Sequence, residues 1–497
     1  MKSTTSIWSR TVNRLLGQSP LTTTQRKTSR RSKTRRLVLE SLERREVFST
    51  DLISAQSFGN ATGHSVAYDI AVDTAGNSYT TGYFSGTTDF DPSSTHAGDP
   101  DILIARGNRD VFVAMYDTNN SLVWATRMGG DLDDTGSKIT IDGSGNVYVS
   151  GSFSGPSDFG STTLVSTDGG RDGFVVKLNS TGTVQWANRW GAAGDDFSGG
   201  VGVDATGNVY TQGSSGTTGN VAYKVLKFSP TGTAVWTQSI VTGTTYSIPG
   251  DMTVDASGNV FFCGYFKGLV DFDPGPKTKY VSSGPEYSGF VLKLTTDGKF
   301  GWVSPFVGQI VGSTHGYSSA QSVVLDGSGN VIVGGYYGGP VDFNPGSGTT
   351  LLSSTGRAFI TKLNSSGGLV WAKGLESNSD TWVNSLATDA AGSIYATGQF
   401  AGTVDFDPSA GISSRTTAGG WDAFVLKLDS LGNFRWAESF GGTGGDIGRG
   451  IAVDSSGDVY FVGYYQDTVD FDPSTRTYYL TNPGTYLNAF RVRFRHA

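Results

Sequence analysis

Seven versions of one fifteen-residue pattern follow one another along the chain. The last reads IAVDSSGDVYFVGYY, and the seven begin at Ile70, Ile139, Val201, Met252, Val323, Leu386 and Ile451. The shared aspartates are Asp73, Asp142, Asp204, Asp255, Asp326, Asp389 and Asp454, at intervals of 51 to 71 residues. Such an interval suits a unit of four short strands with one longer loop, and a fixed period overrides chain length as a guide to domain number.

Two tight turns recur in every repeat. An apolar strand (A) ends at the shared Asp, and a Gly-Asn step or a variant of it begins a strand of alternating residues (B). Two further strands, C and D, follow in each repeat and are joined by a second turn such as Asn179-Ser-Thr-Gly182. An Asp side chain can accept backbone N–H groups two residues on, and Gly supplies the positive φ that such a hairpin requires. Asn120 replaces that Gly in the first repeat. The turn Asp and Asn residues are therefore predicted to be structural.

The repeats predict an all-β fold. Strand B is apolar or aromatic on both faces, as in Val459–Tyr465, which suits a sheet covered by neighbours on both sides. Gly accounts for 71 of 497 residues and charged residues for 16 %, which favours short strands and tight turns over long helices. We expect a seven-bladed β-propeller of four-stranded antiparallel blades.

The two ends of the chain predict how the ring closes. Six repeats have a tryptophan in strand D, and these are Trp124, Trp186, Trp236, Trp302, Trp371 and Trp436, whereas the seventh repeat stops after its strand C. Residues 54–60 (SAQSFGN) align with WAESFGG from Trp436, with Ser54 in the tryptophan position. A strand at residues 53–59 is therefore predicted to complete the last blade, and the propeller to occupy residues 51–497. Closure removes open sheet edges.

The repeat is similar to a known family. The Gly-rich lead, Ala-Val-Asp-x-x-Gly-Asn-Val-Tyr, Asp-Ala-Phe-Val and Trp-Ala elements resemble the bacterial seven-bladed β-propeller repeat (SBBP-type) family over residues 51–497. The resemblance implies architecture and no activity, and the family is mostly attached to extracellular proteins of undefined role.

The first 50 residues differ from the rest. They hold 12 Lys or Arg and three Glu, a net charge of +9, whereas the remainder holds 25 basic and 41 acidic residues, a net charge of −16. Residues 1–50 are predicted to be a basic, largely disordered leader. Residues 37–49 (LVLESLERREVFS) resemble the LEPR-XLL element of planctomycete surface proteins, which implies export to the cell surface or the exterior. An ordinary amphipathic turn is the alternative.

Antiparallel blades place the B–C and D–A loops on one face of the disc, and these loops are acidic. Four B–C loops open with Asp-Phe-Asp-Pro, and the D–A loops add Asp131, Asp133, Asp134, Asp195, Asp196 and Asp446. Paired carboxylates suit Ca²⁺. The candidate metal ligands are Asp89, Asp91, Asp271, Asp273, Asp405, Asp407, Asp470 and Asp472. The alternative is that each Asp caps its turn while the intervening Phe anchors the loop.

The sequence contains few features that are typical of an enzyme active site. The four histidines lack zinc-ligand spacing, and Cys263 lies in a strand B, where a buried inert thiol is expected. No catalytic residue and no cofactor other than Ca²⁺ is predicted. We expect a monomeric binding or scaffold module that holds a surface glycan or protein on its acidic loop face, with no nucleic acid bound and no transmembrane segment. The alternatives are a carbohydrate-active or lyase-type enzyme using Asp residues at the channel mouth, and a purely structural surface protein.

Overall fold

Each repeat folds into one antiparallel sheet whose strands A, B, C and D pair in that order. The computed structural model describes residues 50–59, 63–91, 101–217, 220–242, 249–353, 357–482 and 484–496. Residues 37–49 lie outside the described residues, so the leader and its export role stay predictions. Within the described ranges there is no helix with the length and apolar character that crossing a membrane requires.

The strands of the first four blades, in the order A to D, have the following bounds. Blade 1 comprises Ser65–Val72, Ser78–Phe84, Asp110–Tyr116 and Leu122–Gly130. Blade 2 comprises Thr135–Ile141, Val147–Ser154, Arg171–Leu178 and Val184–Trp190. Blade 3 comprises Phe197–Val203, Val209–Thr217, Asn220–Phe228 and Ala234–Val241. Blade 4 comprises Pro249–Val254, Val260–Phe266, Ser288–Leu294 and Phe300–Gly308.

The remaining three blades complete the set. Blade 5 comprises Tyr317–Leu325, Val331–Gly338, Ala358–Leu363 and Leu369–Ser377. Blade 6 comprises Thr381–Thr388, Ile394–Phe400, Asp422–Leu428 and Phe434–Phe440. Blade 7 takes strands A to C from Ile447–Val453, Val459–Tyr465 and Asn488–His496, and its strand D is Thr50–Phe58.

The seven sheets form a closed ring. Each strand A contacts the strand A of the next blade, and strand A of blade 7 contacts strand A of blade 1. Strands A therefore surround a central channel, and strands D form the outer edge. The apolar core fills the spaces between blades; one cluster, for example, joins Ile332 of blade 5 to Val383 and Phe424 of blade 6. The predicted seven-bladed β-propeller is confirmed.

The N-terminal strand closes the ring in the predicted register. Ser54 lies opposite Arg493, just as Trp436 lies opposite Lys427 in blade 6. The strand begins at Thr50, three residues before the predicted start. Trp124 donates its indole N–H to the Ser180 carbonyl in the next blade, at 3.0 Å. At the seam Ser54 replaces that tryptophan, and a groove of about 950 Å³ remains there.

Six of the seven B–C loops, all except that of blade 3, contain a short hairpin that the sequence did not predict, and we call these the rim hairpins. Three of them add two strands to the sheet of the preceding blade, outside its strand D. The pairs that join them are Ser157 with Gly130, Asp342 with Val307, and Asp405 with Glu376. The B–C loops of blades 2, 5 and 6 therefore extend over the outer rim and away from the channel.

Candidate functional site

The turn aspartates have the structural role that the sequence predicted. One carboxylate oxygen of Asp142 accepts the backbone N–H groups of Ser144 and Asn146, at 2.8 and 3.0 Å. Its other oxygen accepts the hydroxyl of Tyr148, at 2.9 Å. Gly145 has a φ of 75°, and Asn120, which replaces Gly in blade 1, has a φ of 68°. These turns form the face of the disc opposite the B–C and D–A loops.

The candidate calcium ligands lie in the rim hairpins. Asp271 accepts the backbone N–H groups of Asp273 and Lys279, at 3.1 and 2.6 Å, and Phe272 between the two carboxylates is fully buried. Asp405 and Asp470 accept two backbone N–H groups each in the same manner. In each of these three aspartates, the Oδ1 atom is therefore already used to hold the turn together. No group of three or more His, Cys, Asp or Glu side chains suited to a metal occurs among the described residues. Calcium binding stays a prediction.

Three acidic residues of the D–A loops point inward. Asp134, Asp196 and Asp446 are at most 1 % exposed. Each accepts the backbone N–H of the residue four positions before it, and so fastens its own loop. Burial raises the pKa of Asp134 to about 7 and that of Asp446 to about 6. These carboxylates stabilise the loops, whereas the sequence analysis assigned them to a ligand-facing surface.

The central channel contains a charged group that the sequence analysis missed. Lys138 of blade 2 lies 2.9 Å from Asp251 of blade 4, and Asp69 of blade 1 lines the same cavity of about 200 Å³. Burial raises the pKa of Asp69 to about 6. Burial opposes the charge of Lys138, but Asp251 and Asp69 outweigh it and raise the pKa of the ammonium group. Lys138 and Asp251 neutralise each other within this cavity.

A β-bulge in every strand A marks the channel mouth on the loop-bearing face. The register of strands A and B shifts five residues before the turn aspartate, and in blade 4 the shift also includes the following residue, Asp251. The bulge positions hold Tyr68, Ser137, Gly199, Gly250, Gln321, Asn384 and Arg449. None of these seven described positions holds an aspartate. Asp69 and Asp251 lie one residue farther along strand A, inside the channel.

Six aromatic side chains from blades 4, 5 and 6 form a continuous arc on the loop-bearing face. We call this arc the aromatic belt, and it consists of Tyr265, Tyr287, Tyr317, Tyr336, Trp382 and Trp421. All six side chains are half-buried. The rings of Tyr336 and Trp382 stack at 5.2 Å, and Trp421 lies 5.7 Å beyond Trp382. Burial and the neighbouring Tyr336 raise the pKa of Tyr287, which joins the two halves of the belt.

A second group lies at the same level where blade 7 meets blade 1. This arginine–tyrosine cluster consists of Tyr68, Tyr83, Tyr464, Arg109 and Arg449. The Arg109 guanidinium lies 4.6 Å from the centre of the Tyr83 ring. Burial, more than the neighbouring charges, raises the pKa of Tyr83 to about 12.

The sequence carried a signal for both groups. The fourteenth residue of the repeated pattern, near the end of strand B, is Tyr83, Tyr265, Tyr336 or Tyr464 in four repeats, and Ser or Gln in the others. Strand B runs toward the loop-bearing face, so this position lies near the channel mouth. Variation at one position of a repeated pattern indicates that the fold does not dictate the residue there.

One stretch of the chain matches a known repeat. Residues 123–156 match the model of the SBBP family, described as a beta-propeller repeat. The match runs from strand D of blade 1 to just past strand B of blade 2, and together with the seven blades it supports the propeller resemblance.

Other proteins show weaker similarity. An uncharacterized WD repeat-containing protein of Acanthamoeba polyphaga mimivirus is 23 % identical over 469 residues, covering 76 % of this chain. The match covers 34 % of that curated relative, so the chain spans about a third of its length. A chain of the mitotic checkpoint complex matches with a TM-score of 0.44 at 10 % identity, over 97 % of this chain and 99 % of that one. Virginiamycin B lyase from Staphylococcus aureus matches with a TM-score of 0.39 at 9 % identity, over 88 % and 99 %. Likeness of this extent carries no argument about function.

Proposed function

We propose that this protein is a non-enzymatic module that binds a glycan on the loop-bearing face of its propeller. The observation that carries the proposal is the aromatic belt, in which six half-buried rings from three blades form one arc beside the channel mouth. The electron-rich face of a Tyr or Trp ring attracts the weakly positive C–H groups on the face of a sugar ring. Tyrosine and tryptophan also lose little conformational freedom on binding.

Binding without catalysis fits the channel better than an enzyme does. Ligand pockets commonly enclose about 300–1,000 Å³, whereas the cavity beside Asp69 encloses about 200 Å³. Lys138 and Asp251 are already paired with each other. The lyase-type or other carbohydrate-active alternative would use Asp69, whose raised pKa suits proton transfer near neutral pH. We also propose export, on the strength of the LEPR-XLL resemblance of residues 37–49; fractionation that finds the intact chain in the cytoplasm would contradict it.

A glycan array followed by a turnover assay tests the proposal. We expect specific retention of at least one glycan with no release of shortened product. Trp382→Ala removes the centre of the belt and should weaken retention about tenfold or more. Tyr280→Ala is the matched control, because Tyr280 is 60 % exposed in the rim hairpin of blade 4. Equal loss in both variants would contradict binding at the belt, and product release would favour the enzyme.

A further inference from the structure

Arg449 is placed at the channel mouth by the β-bulge in strand A of blade 7. Its guanidinium carbon lies 5.7 Å from the centre of the Tyr68 ring and 5.6 Å from that of Tyr464. The two rings come from blades 1 and 7, so the side chain spans the closure between the last and first blades. Its position is fixed by aromatic faces, which attract a cation but accept none of its in-plane N–H groups well.

No carboxylate among the described residues neutralises the charge of Arg449. Among the arginines that the structure describes, only Arg449 and Arg491 have no carboxylate within ion-pair distance. Arg491 instead donates hydrogen bonds to Ser78, Gln56 and Asn120. The Nε of Arg449 is buried and has no hydrogen-bond partner among the described residues. Among the described arginines, Arg449 therefore combines the lack of a carboxylate partner with a buried Nε that donates no hydrogen bond.

An anion is the chemical group that would satisfy Arg449. A guanidinium presents its N–H groups in a planar fork that matches the two oxygens of a carboxylate or sulfate. A partly buried cation without such a partner is costly. A second positive charge belongs to the same cluster, because Arg109 lies over Tyr83. The nearest carboxylate oxygen to Arg109, on Asp133, is 4.0 Å away, so this ion pair is a loose one. Tyr83 in turn lies 6.0 Å from Tyr68.

We infer that the glycan bound at this mouth is acidic, and that its carboxylate or sulfate group is held by Arg449. The inference rests on the proposed function, because the aromatic belt supplies the contacts to the sugar rings. It adds the class of the ligand, an anionic polysaccharide carrying either uronic acid or sulfate ester groups. Arg449 binds the anion directly, and Arg109 contributes long-range attraction.

Three polysaccharides separate the sources of the negative charge, and all are tested with the full chain. Alginate supplies carboxylates, dextran sulfate supplies sulfate esters and dextran is neutral. We expect retention of at least one anionic polymer, weakened by salt because the charges are partly exposed to solvent. Retention of dextran alone would overturn the inference and leave the proposed function standing. Retention of none of the three, together with an unreactive glycan array, would overturn both.

Substitution of Arg449 tests the residue itself. Arg449→Gln should weaken binding of the retained anionic polymer about tenfold or more. Arg449→Lys keeps the positive charge but lacks the planar set of N–H donors, so it should give an intermediate affinity. This variant tests the assignment even if the Gln variant folds poorly. Arg435→Gln is the matched control, because Arg435 is an exposed arginine that bonds Asp429 in a turn on the opposite face. Unchanged affinity in both Arg449 variants would overturn the assignment.

Discussion

Phe58, in the N-terminal strand, lies directly opposite Ala489 in the last strand of the chain. The pair joins residues separated by almost the whole sequence. The Phe58 ring is fully buried and lies 5.8 Å from Phe90 and 5.5 Å from Tyr116, so strand D of blade 7 also packs against blade 1.

Phe58→Ala should therefore weaken the whole ring. Removing a fully buried phenylalanine costs about 3–5 kcal/mol of unfolding free energy. Ile53→Ala in the same strand is the control, because Ile53 is 44 % exposed and should change stability little. Thermal and urea denaturation measure both, and similar stabilities for the two variants would contradict closure by this strand.

Replacement of a strand D tryptophan by phenylalanine should reduce stability more at position 302 than at position 371. Trp302 donates its indole N–H to the Ser365 carbonyl, at 3.1 Å. The Trp371 indole has no such partner among the described residues, and the carbonyl of Ser430 is bonded by Lys362 instead. Tryptophan to phenylalanine at position 302 should therefore cost about 0.5–1.5 kcal/mol more than at position 371. Equal losses in urea denaturation would contradict the hydrogen-bond assignment.

Most of the fold could be predicted because the same sequence pattern occurs seven times. The turn aspartates, glycines and the seam register follow from local rules that hold in every repeat, as Asp142 and Ser54 illustrate. The rim hairpins could not be predicted, because pairing of Asp405 with Glu376 depends on the distance between two blades. The residues of the proposed binding face were even harder to predict than the rim hairpins. Trp382 and Tyr336, or Arg449 and Tyr68, meet only after the blades have packed, and nothing in their spacing marks them as neighbours.

The buried acids of the D–A loops predict a pH dependence. The pKa of Asp134 is about 7 in the folded chain and near 3.8 when unfolded, so the folded state binds more protons between these values. The free energy of unfolding should therefore fall as the pH rises from about 4 to about 7, by about 1.4 kcal/mol per unit of pKa difference. Asp134→Asn cannot titrate and should show a shallower decline in denaturation midpoints between pH 5 and pH 8. Identical slopes for the variant and the natural chain would contradict the raised pKa.

Calcium binding at the rim hairpins has a direct test. If the paired carboxylates, such as Asp271 with Asp273, hold Ca²⁺ in the folded state alone, saturating Ca²⁺ raises the melting temperature by mass action relative to a chelator. Asp271→Asn with Asp273→Asn should reduce that increase, while Asp297→Asn, at an exposed position in a turn on the opposite face, should not. An unchanged melting temperature removes the calcium hypothesis and leaves these residues as turn caps.

Hydrogen–deuterium exchange of the full chain, with and without a polysaccharide that it retains, tests the central claim most directly. Binding at the mouth should slow amide exchange at the starts of strands A in blades 5, 6 and 7, around residues 317–319, 381–384 and 447–450, and leave the turns of the opposite face, such as residues 142–146, unchanged. Slower exchange confined to those turns or to the rim hairpins would contradict a binding site on the loop-bearing face.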